Sequence, residues 1–334
     1  MYSNRKSIGV VLCTYNGAKY LRQQLESILA QTRQPDQILI LDDCSNDCTV
    51  PIINNFAALD NRIRLIQNET NLGFARNFEK GIALCEMDFI ALSDQDDIWL
   101  PEKLERLATE LETNPGAGIA YGNAEYMLAD GIRTGHMVFP EGNGFTDDPV
   151  LARKGILEKK WNVPGNFILL DAEIKKLIIP NPIDRSFAHD IWICLNAFFL
   201  RNPRYVPEPI SLYRLHKDMT SGAIALVLKG TPYALKKKKW CHPQRLTKNL
   251  LRAFLSPFKH RGKIRDRQLR AYNLATDMLS TLEQLLEKRR LLGLPDLSHE
   301  EHLFLQKKRE EWASILASSP DWINAEKSKL KARS

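Results

Sequence analysis

Four short apolar runs punctuate the N-terminal part of the chain: Ser7 to Cys13, Gln37 to Leu41, Arg62 to Gln67 and Asp88 to Leu92. Each is rich in Val, Ile, Leu or Phe and too short for a helix, so each predicts a buried strand. Between them the apolar positions change period. Tyr20, Leu21, Leu25, Ile28 and Leu29 recur at three- and four-residue steps and predict a helix over 17–31. Ser45-Asn46-Asp47 offers capping side chains to a helix over 47–58. Asn71-Leu72-Gly73 precedes another over 73–84, and Pro101 opens a fourth, where a missing N–H costs least.

Strands alternating with helices predict an α/β fold: a mostly parallel central sheet with flanking helices on both faces. In such sheets ligands bind in the crevice at the carboxyl ends of the strands. The polar runs fall at those ends. Thr14-Tyr15-Asn16 follows the first strand, Asp42-Asp43 the second, and Ser93-Asp94-Gln95-Asp96-Asp97 the fourth. Residues 126–160 have weak periodicity and several Gly, Pro and Asp, which predicts loops or a lid over the crevice. Two apolar stripes mark a helical C-terminal region: Leu246, Leu250, Leu251, Phe254, Leu255 and Phe258, then Ala275, Met278, Leu279, Leu282, Leu285 and Leu286.

Charge sharpens this division. The 334 residues carry a net charge of +7, which splits into −6 over 1–220 and +13 over 221–334. Residues 229–270 hold 14 Lys and Arg against the single acid Asp266. The expected organisation is a catalytic domain over 1–222 and a basic, mainly helical region over 223–334. An apolar content of 44% excludes a largely disordered or collagenous chain. No apolar run approaches the roughly 20 residues that span a bilayer. The N-terminal apolar stretch is too short for a signal peptide, and the six cysteines lack C-x-x-C spacing. An intracellular chain with free thiols is the expectation. G-x-G-x-x-G after the first strand, a P-loop and G-x-S-x-G are all missing, which argues against dinucleotide oxidoreductases, P-loop NTPases and nucleophile-elbow hydrolases.

The carboxylates carry the candidate chemistry. Asp94, Asp96 and Asp97 repel one another at a strand end unless a cation is present. Mg²⁺ typically takes one or two carboxylates and completes its shell with phosphate oxygens and water; solvated acids at a helix start are the alternative. Asp42 and Asp43 suit a ribose or a base, because a carboxylate accepts from hydroxyls and ring N–H groups. They also suit a solvated turn. Arg76 near a helix start suits an anionic ligand. His189-Asp190 precedes an apolar wall, which can raise the carboxyl pKa and make it a base. His216 reads either as a metal ligand or as a satisfied polar residue.

VVLCTYNG, QILILDDCSNDCT, NETNLGFARN, DFIALSDQDD, AHDIW and LYRLH, in this order over about residues 6–222, resemble the family 2 glycosyltransferases of the GT-A fold. The resemblance implies inverting transfer of a sugar from a nucleotide-diphosphate donor to a hydroxyl. It assigns Thr14, Tyr15, Asn16, Asp42, Asp43, Arg76 and Asp94 to the nucleotide-sugar. Asp96 becomes the metal ligand, with His216 reaching the metal or diphosphate, and Mg²⁺ or Mn²⁺ is the implied cofactor. Asp190 becomes the catalytic base; the family's preceding acid is replaced here by His189. The wording is most similar to members of bacterial cell-surface polysaccharide assembly, many of them rhamnosyltransferases. That implies dTDP-rhamnose or a UDP-hexose as donor and a saccharide or polyprenyl-linked acceptor. A sugar nucleotidyltransferase and a catalytically silent scaffold of the same fold are the competing readings.

Lys236 to Lys239 and Trp240, followed by a basic amphipathic stretch, suit contact with an anionic membrane surface through 229–270. Packing on the catalytic domain or on a second copy, as a homo-oligomer, is the alternative. No recognised nucleic-acid motif accompanies the basic charge, so nucleic acid is not an expected partner. The expected location is cytoplasmic, at the inner face of the cytoplasmic membrane.

Overall fold

The four expected strands form one continuous half of a sheet. In a computed structural model, which describes residues 5–140, 145–158, 163–181, 189–216, 261–319 and 323, they are β1 (Ile8–Thr14), β2 (Gln37–Asp42), β3 (Ile63–Gln67) and β4 (Phe89–Ser93). All three pairings among them are parallel, in the order β3-β2-β1-β4. The connections are α1 (Ala18–Leu29), α2 (Thr49–Ala57) and α3 (Phe74–Leu84). The N-cap of α2 is Cys48, which makes no side-chain cap; Asp47, one residue earlier, accepts from the Thr49 N–H at 2.9 Å.

Beyond β4 the sheet becomes mixed. β5 (Ile98–Trp99), β6 (Ile119–Leu128), β8 (Ile168–Asp171) and β9 (Arg204–Leu215) extend it in the order β4-β8-β6-β9-β5. Helix α4 (Lys103–Thr113) follows Pro101, and α5 (Pro149–Leu157), α6 (Lys175–Ile178) and α7 (His189–Leu200) complete this part.

The expectation of loops over 126–160 needs correction. β6 runs to Leu128, β7 (Arg133–Met137) pairs with it antiparallel, and α5 occupies Pro149–Leu157. β7 reads Arg-Thr-Gly-His-Met and no residue in it is fully buried, so it carries no apolar alternation to read. Helix α5 is started locally, by Asp148 accepting from the Val150 N–H at 2.8 Å with Pro149 at its first position.

The core lies between the sheet and its helices, with Val10, Leu12, Leu25, Ile28, Ile40 and Leu107 fully buried. One contact there is unusually close. A Cβ built on Gly81 of α3 would lie 2.4 Å from Val11 Cγ1 and 2.8 Å from Leu41 Cδ1, so α3 rests its backbone directly on β1 and β2.

The chain divides into two compact units, one holding the sheet with α1–α7 and the other the two long helices. These are α8 (Arg261–Leu291) and α9 (His299–Ala317). Ala275, Met278, Leu282 and Leu285 of the second apolar stripe are buried, as their spacing predicts, with Leu305 and Trp312 of α9. The first stripe, the expected boundary near 222 and most of 229–270 lie outside the described residues. No helix among the described residues is long and apolar enough to cross a membrane. The five described cysteines form no disulfide.

Candidate active site

The loops that leave β1, β2 and β4 meet at the carboxyl edge of the sheet. Asp42 is buried and braces two of them: its Oδ1 accepts from the Thr14 hydroxyl at 2.9 Å and its Oδ2 from the Ser45 N–H at 2.9 Å. Asp43 organises the loop that leaves β3 for α3. Its Oδ1 accepts from Asn68 Nδ2 and the Leu72 N–H, both at 2.8 Å, and its Oδ2 from the Gly73 N–H at 2.8 Å. Gly73, at φ +77°, enters α3 from the left-handed region that favours glycine. Asn16 Oδ1 accepts from the Asn46 N–H at 2.8 Å, joining the β1 and β2 loops.

Tyr15 leaves its ring half exposed while its backbone is held. Gln95 Oε1 accepts from the Tyr15 N–H at 2.8 Å and Gln95 Nε2 donates to the Tyr15 carbonyl at 3.0 Å. Gly17 makes room for this clasp, since a Cβ there would lie 2.0 Å from Gln95 Oε1. Gly17→Ala is therefore expected to unseat Gln95 and free Tyr15. The expected result is nucleotide affinity lowered several-fold by calorimetry, with the thermal midpoint nearly unchanged because only a flexible side chain must move.

The acidic run bends between β4 and β5, and its three carboxylates take three different environments. Burial pushes the Asp94 carboxyl up to about 7, and the negative charges of Asp96 and Asp190 add to the rise. Asp96 Oδ2 lies 2.9 Å from His216 Nε2, although the two residues are far apart in the chain. The His216 ring packs against Tyr20 with centroids 4.9 Å apart, and its buried Nδ1 has no hydrogen-bond partner among the described residues. Asp97 points away from this edge. It is fully buried, accepting from the Arg214 N–H at 2.8 Å and from Asn166 Nδ2.

Asp190 stands in the first turn of α7, the end of a helix that favours an anion. Its Oδ1 accepts from the Ile191 N–H at 2.7 Å. Burial outweighs both effects and pushes the carboxyl up to about 6. Its charge is felt at Asp94 and adds to the rise there. His189 turns inward instead, stacking on Phe78 with centroids 4.4 Å apart. Burial pushes its imidazole down to about 4, so it is neutral at physiological pH and cannot stand in for the family's acid. Arg76 is exposed on α3 and pairs with Glu79 at 2.8 Å.

Asp96 Oδ2 and His216 Nε2 form a pair of hard and borderline donors that suits a divalent cation. Among the described residues no group of three or more His, Cys, Asp and Glu is arranged to hold a metal by itself. The pair fits an ion whose remaining ligands come from a diphosphate and water.

Two buried cations beneath the acidic run escaped sequence reasoning. Lys103 is fully buried and donates to the Asn166 carbonyl and, at 3.1 Å, to Ser211 Oγ. Its ammonium lies 3.9 Å from the centre of the Trp99 ring. Burial drives Asp97 upward and Lys103 downward, and each charge counters the other's shift. Arg214 is 2% exposed and donates through Nε to the Asp96 carbonyl at 2.7 Å. Only the closeness of Lys103 to the SDQDD run hinted at either.

A parallel half-sheet with this acidic loop at its carboxyl edge, followed by a mixed half that returns a His to that loop, is an arrangement of the GT-A fold. Residues 9–167 match the family described as Glycosyl transferase family 2. A glycosyltransferase of Methanocaldococcus jannaschii is 29% identical over 188 residues, covering 56% of this chain and 63% of its own length. Glycosyltransferase GlyG of Streptococcus pneumoniae is 34% identical over 125 residues, covering 37% of this chain and 41% of its own. Each match spans less than two thirds of the relative's length. The structure of S. aureus TarS 1-349 in complex with UDP-GlcNAc shares the fold, with a TM-score of 0.54 at 15% identity over 96% of this chain and 83% of that one.

Proposed function

We propose that this protein is an inverting, metal-dependent glycosyltransferase that moves a sugar from a nucleoside-diphosphate donor to a hydroxyl of a saccharide or lipid-linked saccharide. The observation that carries the reading is the Asp96–His216 pair, 2.9 Å apart, on the acidic loop at the carboxyl edge of the sheet.

Tyr15, Asn16, Asp43 and their loops supply the nucleoside side of the site. Asp96 and His216 hold the cation, which neutralises the departing diphosphate when bound. Asp190 takes the proton from the acceptor hydroxyl. The hydroxyl oxygen forms its bond to the anomeric carbon as the bond to the diphosphate breaks, and the diphosphate leaves with that electron pair. Attack opposite the leaving group inverts the anomeric centre. Holding both sugars in line contributes much of the remaining acceleration.

The donor is dTDP-rhamnose or a UDP-hexose, and the product belongs to bacterial surface polysaccharide. This rests on the wording of SDQDDIWLPEKL, HDIW and LYRLH. The basic segment 229–270 brings the enzyme to an anionic membrane face, where a polyprenyl-linked acceptor resides.

The test is a donor panel of dTDP-rhamnose, UDP-glucose, UDP-galactose and UDP-N-acetylglucosamine, each with Mg²⁺ or Mn²⁺ and with chelator. Metal-dependent engagement of one donor, with slow release of a nucleoside diphosphate, supports the reading. Release of pyrophosphate from a nucleoside triphosphate points instead to a nucleotidyltransferase. Asp96→Asn is expected to weaken apparent metal affinity by about 10- to 100-fold. An unchanged metal titration in that variant counts against Asp96 as the ligand.

A further inference from the structure

Arg214 approaches the acidic loop from beneath, and every part of its guanidinium is engaged. Nε donates to the Asp96 carbonyl at 2.7 Å, Nη1 to the Ala129 carbonyl at 3.3 Å, and Nη2 to Gln23 Oε1 at 2.6 Å. The guanidinium also lies 4.6 Å from the centre of the Tyr20 ring. Its own backbone N–H holds Asp97 Oδ1 at 2.8 Å. Such a group is costly to bury unless its donors are met. Here they are met by three separate elements: the loop after β4, the turn after β6, and α1.

The consequence falls on Asp96. Arg214 fixes its carbonyl, and His216, two residues further along the same segment, meets its carboxylate at 2.9 Å. Tyr20 fills the space between, touching both Arg214 and the His216 ring. The end of β9 therefore grips one residue of the acidic loop at its main chain and at its side chain.

We propose that Arg214 is the positioning residue of the cation site, anchored by Gln23, and that it sets the spacing of Asp96 and His216 before any ligand arrives. The inference rests on the metal-dependent reading above. Arg214 touches neither sugar nor diphosphate in this role; it acts through Asp96. Its planar fork, with donors on three sides, is not reproduced by a lysine ammonium.

The test measures Mn²⁺ uptake directly, by calorimetry and by the loss of the free-ion paramagnetic signal. The protein is first saturated with UDP or dTDP, whichever the wild type binds. Arg214→Lys and Arg214→Met are expected to weaken Mn²⁺ binding by about 10- to 100-fold, with metal-free nucleotide binding unchanged. Gln23 is exposed on α1, so Gln23→Leu keeps the fold. It is expected to move Mn²⁺ affinity in the same direction by a smaller factor, with only a small fall in thermal midpoint as Nη2 loses its acceptor. Wild-type Mn²⁺ affinity in Gln23→Leu and in the folded fraction of Arg214→Lys overturns the proposal and leaves Arg214 a structural residue only. If wild-type protein takes up nucleotide but no Mn²⁺, the metal-dependent reading itself fails, and the proposal with it.

Discussion

Asp190→Asn is expected to slow sugar transfer by about 10²- to 10⁴-fold while leaving the nucleotide donor bound. The amide is isosteric and its oxygen still accepts from the Ile191 N–H, so α7 keeps its first turn. What is lost is a group that can take a proton, a contribution of about 10²- to 10⁴-fold in rate. Calorimetry with the donor is expected to match wild type, whereas product release falls by that factor. Near-normal turnover would remove Asp190 from the reaction. The pH profile carries the same sign. Burial raises this carboxyl to about 6, and the base works only when ionised. The donor-saturated rate at limiting acceptor is thus expected to fall as pH drops through 6 and to level off above it. A profile that is flat between pH 5 and 8 would contradict the assignment.

The second large effect is on stability. Lys103→Met removes the buried ammonium whose charge opposes that of Asp97. It also leaves the buried Asn166 carbonyl and Ser211 Oγ without their donor, and each buried polar group left unsatisfied costs about 1–3 kcal/mol. That is a large fraction of the roughly 5–15 kcal/mol that holds a domain folded. A fall in thermal midpoint on the order of 10 °C follows at this chain length. Adding Asp97→Asn to Lys103→Met is expected to restore part of the loss, because the two residues are coupled. Additive losses in the double variant would show that Lys103 acts through the Asn166 and Ser211 contacts rather than through charge.

Most of the parallel half of the sheet is legible because β1, β2 and β4 are buried on both faces and read as apolar runs. Leu39, Ile40 and Leu41 show this directly. The mixed half hides for physical reasons. β6 buries Asn123 and Glu125 by pairing them, with the Phe139 carbonyl and with Arg133, so its polar letters read as exposed. β9 contains Pro207 and Pro209, residues that argue against a strand, and the register against β6 shifts between Val206 and Pro209 to accommodate them. The site divides in the same way. Thr14, Asp42, Asp43 and the SDQDD run are adjacent to strand ends, so their motifs announce them. Arg214 and Lys103 act across the fold, and each looks like an ordinary surface cation in a linear reading. Asp43 shows the limit from the other side: its motif marks it for the nucleotide, yet its oxygens already organise the entry to α3.

Gly81 gives α3 the character of a lever with a fixed fulcrum. From Gly81 to the start of the helix is about 10 Å at 1.5 Å per residue. At that far end the Gly73 N–H meets Asp43 at 2.8 Å. Any side chain at position 81 would press on Val11 and Leu41 and tilt the helix. A displacement too small to disturb the core would then be delivered at the nucleotide loops, where hydrogen bonds tolerate only tenths of an ångström. The proposed donor pocket is thus calibrated from the interior of the sheet, by the absence of a single methyl group.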